Sequence, residues 1–211
     1  MQNTYPQENP FLDKPLPPKT NKGIAVLQAI ALFTIILLVG WIVILDQNQV
    51  KGPSMQPNFY TDEFLLTSTI PNLITDPNLA RALNADYQRG DVVVLQKPGF
   101  DDFVKRVIGL PGETIQIRDG YVYIDNQRLV EEYLAPDLYT NGGSFIREGG
   151  QPILIPEGHY VLIGDNRPQS NDSRYVEIGF IKREWIKGKV LVRIWPFETF
   201  SFIPQGKYRL E

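Results

Sequence analysis

Two residues in this chain are suited to acyl transfer without histidine or cysteine. Ser54 lies in Gly52-Pro53-Ser54-Met55-Gln56-Pro57, and Lys105 in a block running from Phe103 to Glu113. With no cysteine, a thiol nucleophile, a thiolate zinc site and a disulfide-held fold are excluded. The one histidine, His159, would have to carry any Ser-His-Asp triad alone. A serine hydroxyl is a weak nucleophile until a base takes its proton, and lysine is such a base only when neutral. From a reference pKa of about 10.4, a working value near 7–8 needs a fall of roughly 2–3 units, about 3–4 kcal/mol in favour of the amine. Apolar burial supplies such a fall by penalising the ammonium. Phe103, Val104, Val107 and Ile108 surround Lys105 in sequence. In a strand, Lys105 shares a face with Phe103 and Val107 while Arg106 points the other way, so one cation can be buried and the other outward.

Taken singly, Lys105-Arg106 reads as a solvated basic pair and Ser54 as a turn hydroxyl after Gly52-Pro53. A third block tips the balance. It runs Gly164-Asp165-Asn166-Arg167-Pro168-Gln169-Ser170-Asn171-Asp172-Ser173-Arg174-Tyr175, behind a β-prone stretch at His159–Ile163. Such a run makes either a polar loop with Asx-turns or a structured loop that completes a site. In the second case a hydroxyl such as Ser170 orients the lysine amine, and Asp172 with Arg174 forms a pair that fixes the loop. His159, just ahead of this block, reads as structural.

The elements that must hold these groups are mostly strands. Glu63–Thr67, Asp91–Gln96, Phe103–Ile108, Thr114–Ile117, Tyr121–Ile124, His159–Ile163 and Lys189–Trp195 are rich in β-branched and aromatic residues. Asp119-Gly120 and Asp125-Asn126 predict hairpin turns. One helix is predicted in the long connection Ser68–Gln88, capped by Asp76 with Pro77 in its first turn and continuing through Asn84. A short one is possible near Arg183–Trp185. The apolar run Ile194–Pro204 reads as a core strand with a Pro-ended tail, with a lipid-interface contact as the lesser option. Residues 46–211 are thus expected to form one mainly β, antiparallel domain. Its formal charge of −4, with no basic stripe, argues against nucleic acid as a partner.

Ahead of that domain, Ile24–Leu45 carries no charge, and only Gln28 and Thr34 are clearly polar. At about 1.5 Å per residue it spans roughly 33 Å, the thickness of a hydrocarbon core. It is longer than a signal-peptide core of roughly 7–15 residues, and no Ala-x-Ala pattern follows it. Residues 23–45 are therefore read as one retained transmembrane anchor. Lys14, Lys19 and Lys22 precede it and Asp46 follows, which places the N-terminus in the cytoplasm and the domain outside it. Residues 1–22, with five prolines and little apolar content, read as a disordered cytoplasmic tail.

Together with Arg89-Gly90-Asp91-Val92-Val93, these blocks resemble bacterial type I signal peptidases, in order and across nearly all of the domain. The resemblance implies an antiparallel β domain of the signal-peptidase type. It implies a membrane-bound serine endopeptidase that removes signal peptides from exported preproteins, cutting after small residues (Ala-x-Ala) through an acyl-enzyme. Ser54 would be the acylating nucleophile, Lys105 the general base, and Ser170 the hydroxyl bonded to the lysine. Met55 and Pro57 would shape the turn, and Arg106, Asp165, Asp172 and Arg174 would support the site. No metal or cofactor is implied. The enzyme would be monomeric in a bilayer, plasma or thylakoid. Gly52 stands where some members carry an oxyanion-binding serine, so an oxyanion hole would rest on backbone N–H groups, that of Ser54 first. Asn58 replaces a common threonine, and Pro168-Gln169 a more polar pair. The competing readings are a self-processing Ser/Lys peptidase and a non-catalytic anchored β module.

Overall fold

The computed structural model describes residues 22–74, 76–83 and 85–211. The predicted tail, apart from Lys22, lies outside them, as does Asn84 at the end of the predicted helix. The chain divides into two units, Met1–Trp41 and Ile42–Glu211. The described part of the first is helical, within α1 (Lys22–Ile44). A helix of 23 residues is about 35 Å long. Residues 22–39 are solvent-exposed, and the helix carries no charge beyond Lys22. The Thr34 hydroxyl donates to the Ile30 carbonyl at 2.9 Å, which satisfies it within the helix. By length and composition this helix suffices to cross a hydrocarbon core.

The second unit begins with β1 (Leu45–Gln49) and β2 (Phe64–Ser68). Two short helices follow, α2 (Ile70–Leu73) and α3 (Pro77–Ala82). Then come β3 (Val92–Leu95), β4 (Phe103–Gly109), β5 (Thr114–Arg118), β6 (Tyr121–Ile124) and β7 (Gln127–Glu131). The rest are β8 (Ile153–Leu154), β9 (His159–Ile163), β10 (Ile181–Lys182), β11 (Ile186–Trp195), β12 (Ser201–Phe202) and β13 (Tyr208–Leu210). The larger sheet has the order β1-β2-β11-β3-β4-β9-β10, with β12 also on β11; the smaller is β13-β7-β6-β5-β8. Neighbouring strands run antiparallel throughout. Both predicted hairpin turns form. Asp119 and Gly120 have φ of 52° and 78°, and Asp125 and Asn126 have 49° and 64°, the left-handed pairs that a two-residue hairpin requires.

Both faces of β4 are covered, and this positions the chemistry. On one side Val107 packs with Val93, Leu95, Tyr160 and Leu162, with Phe103 at the margin. On the other, Val104 packs with Val92, Val94, Met55, Phe59 and Leu65. The expectation that Arg106 would point outward is therefore corrected: it is buried. Its charge is tolerated because Asp165, buried as well, receives two of its N–H groups at 2.9 and 2.6 Å. The expected core strand near the C-terminus is also corrected. Beyond Trp195 the chain forms a 3-10 turn (Phe197–Thr199) and β12, leaving Phe197, Phe200 and Phe202 exposed, the last at 76%.

Candidate active site

The turn 52–57 and β4 deliver the two central groups to one point. Gly52 has φ of 78°, a left-handed conformation that admits glycine without strain. Met55 is fully buried and anchors the turn in the core, while Pro57, behind a cis Gln56–Pro57 bond, stays exposed. Ser54 is left half-buried between them. Lys105 sits opposite Val93 on β3, only 2% exposed. Its Nζ lies 2.7 Å from Ser54 Oγ, 3.0 Å from the Val104 carbonyl oxygen and 5.4 Å from the centre of the Phe103 ring. Burial lowers its pKa from 10.5 to about 8. The Asp172 and Asp165 carboxylates oppose that fall, and Arg174 adds to it.

The loop after β9 forms the third side. The Asn166 N–H donates to the Ser54 carbonyl at 3.0 Å, and its side-chain amide to the Pro53 carbonyl at 3.0 Å. Asp172 accepts from Arg174 Nε and Nη2 at 2.8 and 2.9 Å and from the Gly164 N–H at 3.1 Å. Arg174 also reaches the Arg167 and Ser170 carbonyls at 2.8 and 3.2 Å. This guanidinium therefore ties both limbs of the loop to one carboxylate. Asp165, already holding Arg106, accepts from Asn58 Nδ2 at 2.8 Å as well. The Asn58 departure thus keeps a donor facing the supporting ion pair.

Ser170 departs from expectation. Its hydroxyl is buried but makes no hydrogen bond among the described residues, to Lys105 or otherwise. It lies against Gly164, where an added Cβ would meet Ser170 Oγ and the Ser54 carbonyl oxygen closer than any real Cβ contact. Gly164 is thus a close-approach glycine that lets the loop reach the Ser54 turn. Its role, like those of Asn166 and Asn58, went unread in the sequence because each depends on a partner far along the chain. The Ser54 N–H makes no hydrogen bond among the described residues. The His159 ring packs edge-on against Phe180, with Nδ1 3.0 Å from the Glu157 carbonyl oxygen.

A cavity of about 360 Å³ is lined among others by Asn48, Lys51, Val94, Asp102, Val104 and Lys187. Lys51 lies three residues before Ser54, and Val104 immediately precedes Lys105. Two open backbone edges flank it. Among the described residues β1 pairs only with β2, and β4 pairs with β9 only from Arg106 onward, which leaves Phe103–Lys105 bonded on the β3 side alone. The walls are largely polar.

Residues 23–195 match the family model described as "Signal peptidase, peptidase S26". The chain is 31% identical over 172 residues to a probable signal peptidase I-2 of Synechocystis sp., covering 78% of this chain and 69% of that protein. It is 31% identical over 180 residues to signal peptidase IB of Staphylococcus aureus, covering 81% and 87%. A crystal structure of a signal peptidase I from Enterococcus faecalis shares 32% identity, with a TM-score of 0.39, and covers 49% of this chain and 96% of that one. The residues that converge on Ser54 all fall inside the matched region, and the chain belongs to the bacterial type I signal peptidase family of serine peptidases.

Proposed function

We propose that this protein removes N-terminal signal peptides from exported preproteins, with Ser54 as nucleophile and neutral Lys105 as its base. One observation carries the reading: a buried amine 2.7 Å from a serine hydroxyl, with its pKa lowered to about 8. At that value roughly a tenth of the lysine is neutral at pH 7, against less than a thousandth for an unperturbed side chain. The precursor lies extended in the groove, adding strand-like to the open edges of β1 and Phe103–Lys105, with its first and third residues before the cut turned inward. Lys105 takes the Ser54 proton as Oγ forms a bond to the scissile carbonyl carbon. The Ser54 N–H, which makes no hydrogen bond among the described residues, receives the oxyanion, which Gly52 cannot do with a side chain. The ammonium then gives its proton to the leaving amine as the C–N bond breaks, leaving an acyl-enzyme. Water, deprotonated by the same amine, attacks the acyl carbon, and the Lys105 ammonium returns the proton to Oγ as the acyl C–O bond breaks.

Asp165, Arg106, Asp172 and Arg174 hold the loop and turn in place without reacting. Ser170 supplies the hydroxyl that bonds the amine once substrate is bound; its lack of any other partner among the described residues supports this role. α1 is the retained single anchor, with the basic N-terminal flank in the cytoplasm and residues 46–211 extracytoplasmic, at a plasma or thylakoid membrane. The exposed Trp195, Phe197, Phe200 and Phe202 suit contact with the lipid interface. The enzyme acts as a monomer.

The test is cleavage of a precursor with alanine at the first and third positions before the cut. Ser54→Ala and Lys105→Ala should each abolish cleavage while leaving the fold intact, and His159→Ala should keep most of it. Full activity in Lys105→Ala would refute the dyad.

A further inference from the structure

We propose that the segment Ile70–Leu83, which carries α2 and α3, is a second membrane contact, lying in the lipid headgroup layer beside the point where α1 leaves the bilayer. This rests on α1 being a transmembrane anchor, as proposed above, and gives a role to a part of the chain that the catalytic account does not use.

The placement starts from a helix end. The last carbonyls of an α-helix have no partner within it. At the end of α1 the Ile44 carbonyl accepts from the Thr69 N–H at 2.8 Å and from the Thr69 hydroxyl at 3.1 Å. Beside this, Leu45 pairs with Ser68 at the head of the β1–β2 ladder. The first residue of α2 therefore stands one position from a direct bond to the last residue of the anchor helix. With consecutive Cα atoms about 3.8 Å apart, Ile70 lies within about 10 Å of Ile44. The headgroup layer outside a hydrocarbon core is about 5–8 Å deep on each side, and interfacial helices sink their apolar face about 5–10 Å into that boundary. α2 thus begins at lipid depth, whichever way α1 runs.

The segment also presents the right side. Asn72 donates to the Ile186 and Lys187 carbonyls, both at 2.8 Å, and accepts from the Tyr87 hydroxyl at 2.7 Å. Arg183 donates to the carbonyl of buried Pro71 at 2.6 Å. With Pro71 and Asn72 held against the domain, Ile70 and Leu73, three apart on one helical side, are left outward. In α3 Ala80 is fully buried, whereas Leu79 and Leu83, four apart, are exposed. The four aliphatic side chains are 45–61% exposed. From Thr69 to Ala85 the only charged residues are Asp76 and Arg81, which cancel. Single apolar side chains are ordinary on a wet surface, but this group is concentrated in one short segment that starts at the exit of a membrane-spanning helix, where lipid is the neighbour already present. One helix fixes a point of the domain at the bilayer but not its tilt; a second apolar contact beside it removes that freedom.

The chain has no cysteine, so a single introduced cysteine carries a nitroxide label without competition. Leu73→Cys, Leu83→Cys and, as a marker of the anchor, Leu37→Cys are each made in the full chain and reconstituted in phosphatidylcholine vesicles. A thermal transition matching that of the unlabelled chain confirms that each variant is folded. The readout is collision of the nitroxide with oxygen, which concentrates in lipid, against a nickel chelate, which stays in water. Relative to labelled free cysteine in buffer, the labels on Leu73→Cys and Leu83→Cys should lose nickel collisions and gain oxygen collisions, at a depth shallower than that of Leu37→Cys. A water-exposed label on either Leu73→Cys or Leu83→Cys, with Leu37→Cys in lipid, overturns the proposal and leaves the anchor standing. A water-exposed label on Leu37→Cys overturns the anchor reading and the proposal with it. Loss of nickel collisions with no gain from oxygen, and spin–spin broadening that fades on dilution with unlabelled chain, would show a second copy covering the segment, which also overturns the proposal.

Discussion

Replacing Lys105 by Met should destroy activity and yet stabilise the second unit at neutral pH. The side chain is 2% exposed, and its pKa falls from 10.5 in the unfolded chain to about 8 in the fold. That shift of roughly 2.5 units corresponds to about 3 kcal/mol of stability forgone wherever both states are protonated, which means below about pH 8. Between pH 8 and 10.5 the unfolded chain binds the extra proton, so stability rises with pH. Above pH 10.5 the penalty is gone. Methionine fills a similar volume without charge and recovers that term, less about 1 kcal/mol for the lost contact with Ser54 Oγ. The net gain at pH 7 is about 2 kcal/mol, or about 4–8 °C in Tm for a unit of this size. At pH 10 the penalty has shrunk to about 1 kcal/mol and the gain should vanish. Thermal unfolding of both proteins at pH 7 and pH 10, in the same detergent, measures the difference. A variant less stable at pH 7, or a gain independent of pH, would refute the idea that burial neutralises this lysine.

Two further outcomes follow from the same geometry. The kcat/KM for a small-residue peptide should rise about tenfold per pH unit up to about pH 8 and then level off, because only the neutral amine accepts a proton; stopped-flow or fluorogenic assays read this directly, and a profile flat from pH 6 to 9 would contradict it. Gly164→Ala should cost about 1–3 kcal/mol in chemical denaturation and at least about a hundredfold in kcat, since the new methyl must displace Ser170 and the Ser54 backbone; wild-type kinetics would show that the close approach is dispensable.

The legibility of the sequence varied by element for physical reasons. β4, β6 and β9 stood out because β-branched and aromatic residues fill both faces, and the left-handed Asp-Gly and Asp-Asn pairs announced their hairpins. β1 did not, since Asp46-Gln47-Asn48-Gln49 has no apolar periodicity. It is a strand because β2 offers it a full register of partners. β8, β10 and β12 are two-residue pairings that no local pattern encodes. The meeting of Ser54 and Lys105 at 2.7 Å was legible because a chain with no cysteine and one histidine offers few other pairs for acyl transfer. The burial of Arg106 was not, since it depends on Asp165, 59 residues away. Phe197 and Phe202 misled because composition records that a residue is apolar, not whether anything covers it.

The central claim is that Lys105 loses its proton at a pH where other lysines keep theirs. Titration of the full-length protein carrying ¹³C-labelled lysine, followed at Cε and assigned through Lys105→Met, measures this without reference to turnover. A transition near pH 8 for the Lys105 resonance, apart from the bulk of lysines near 10.5, is expected. A Lys105 resonance that titrates with the bulk would contradict it.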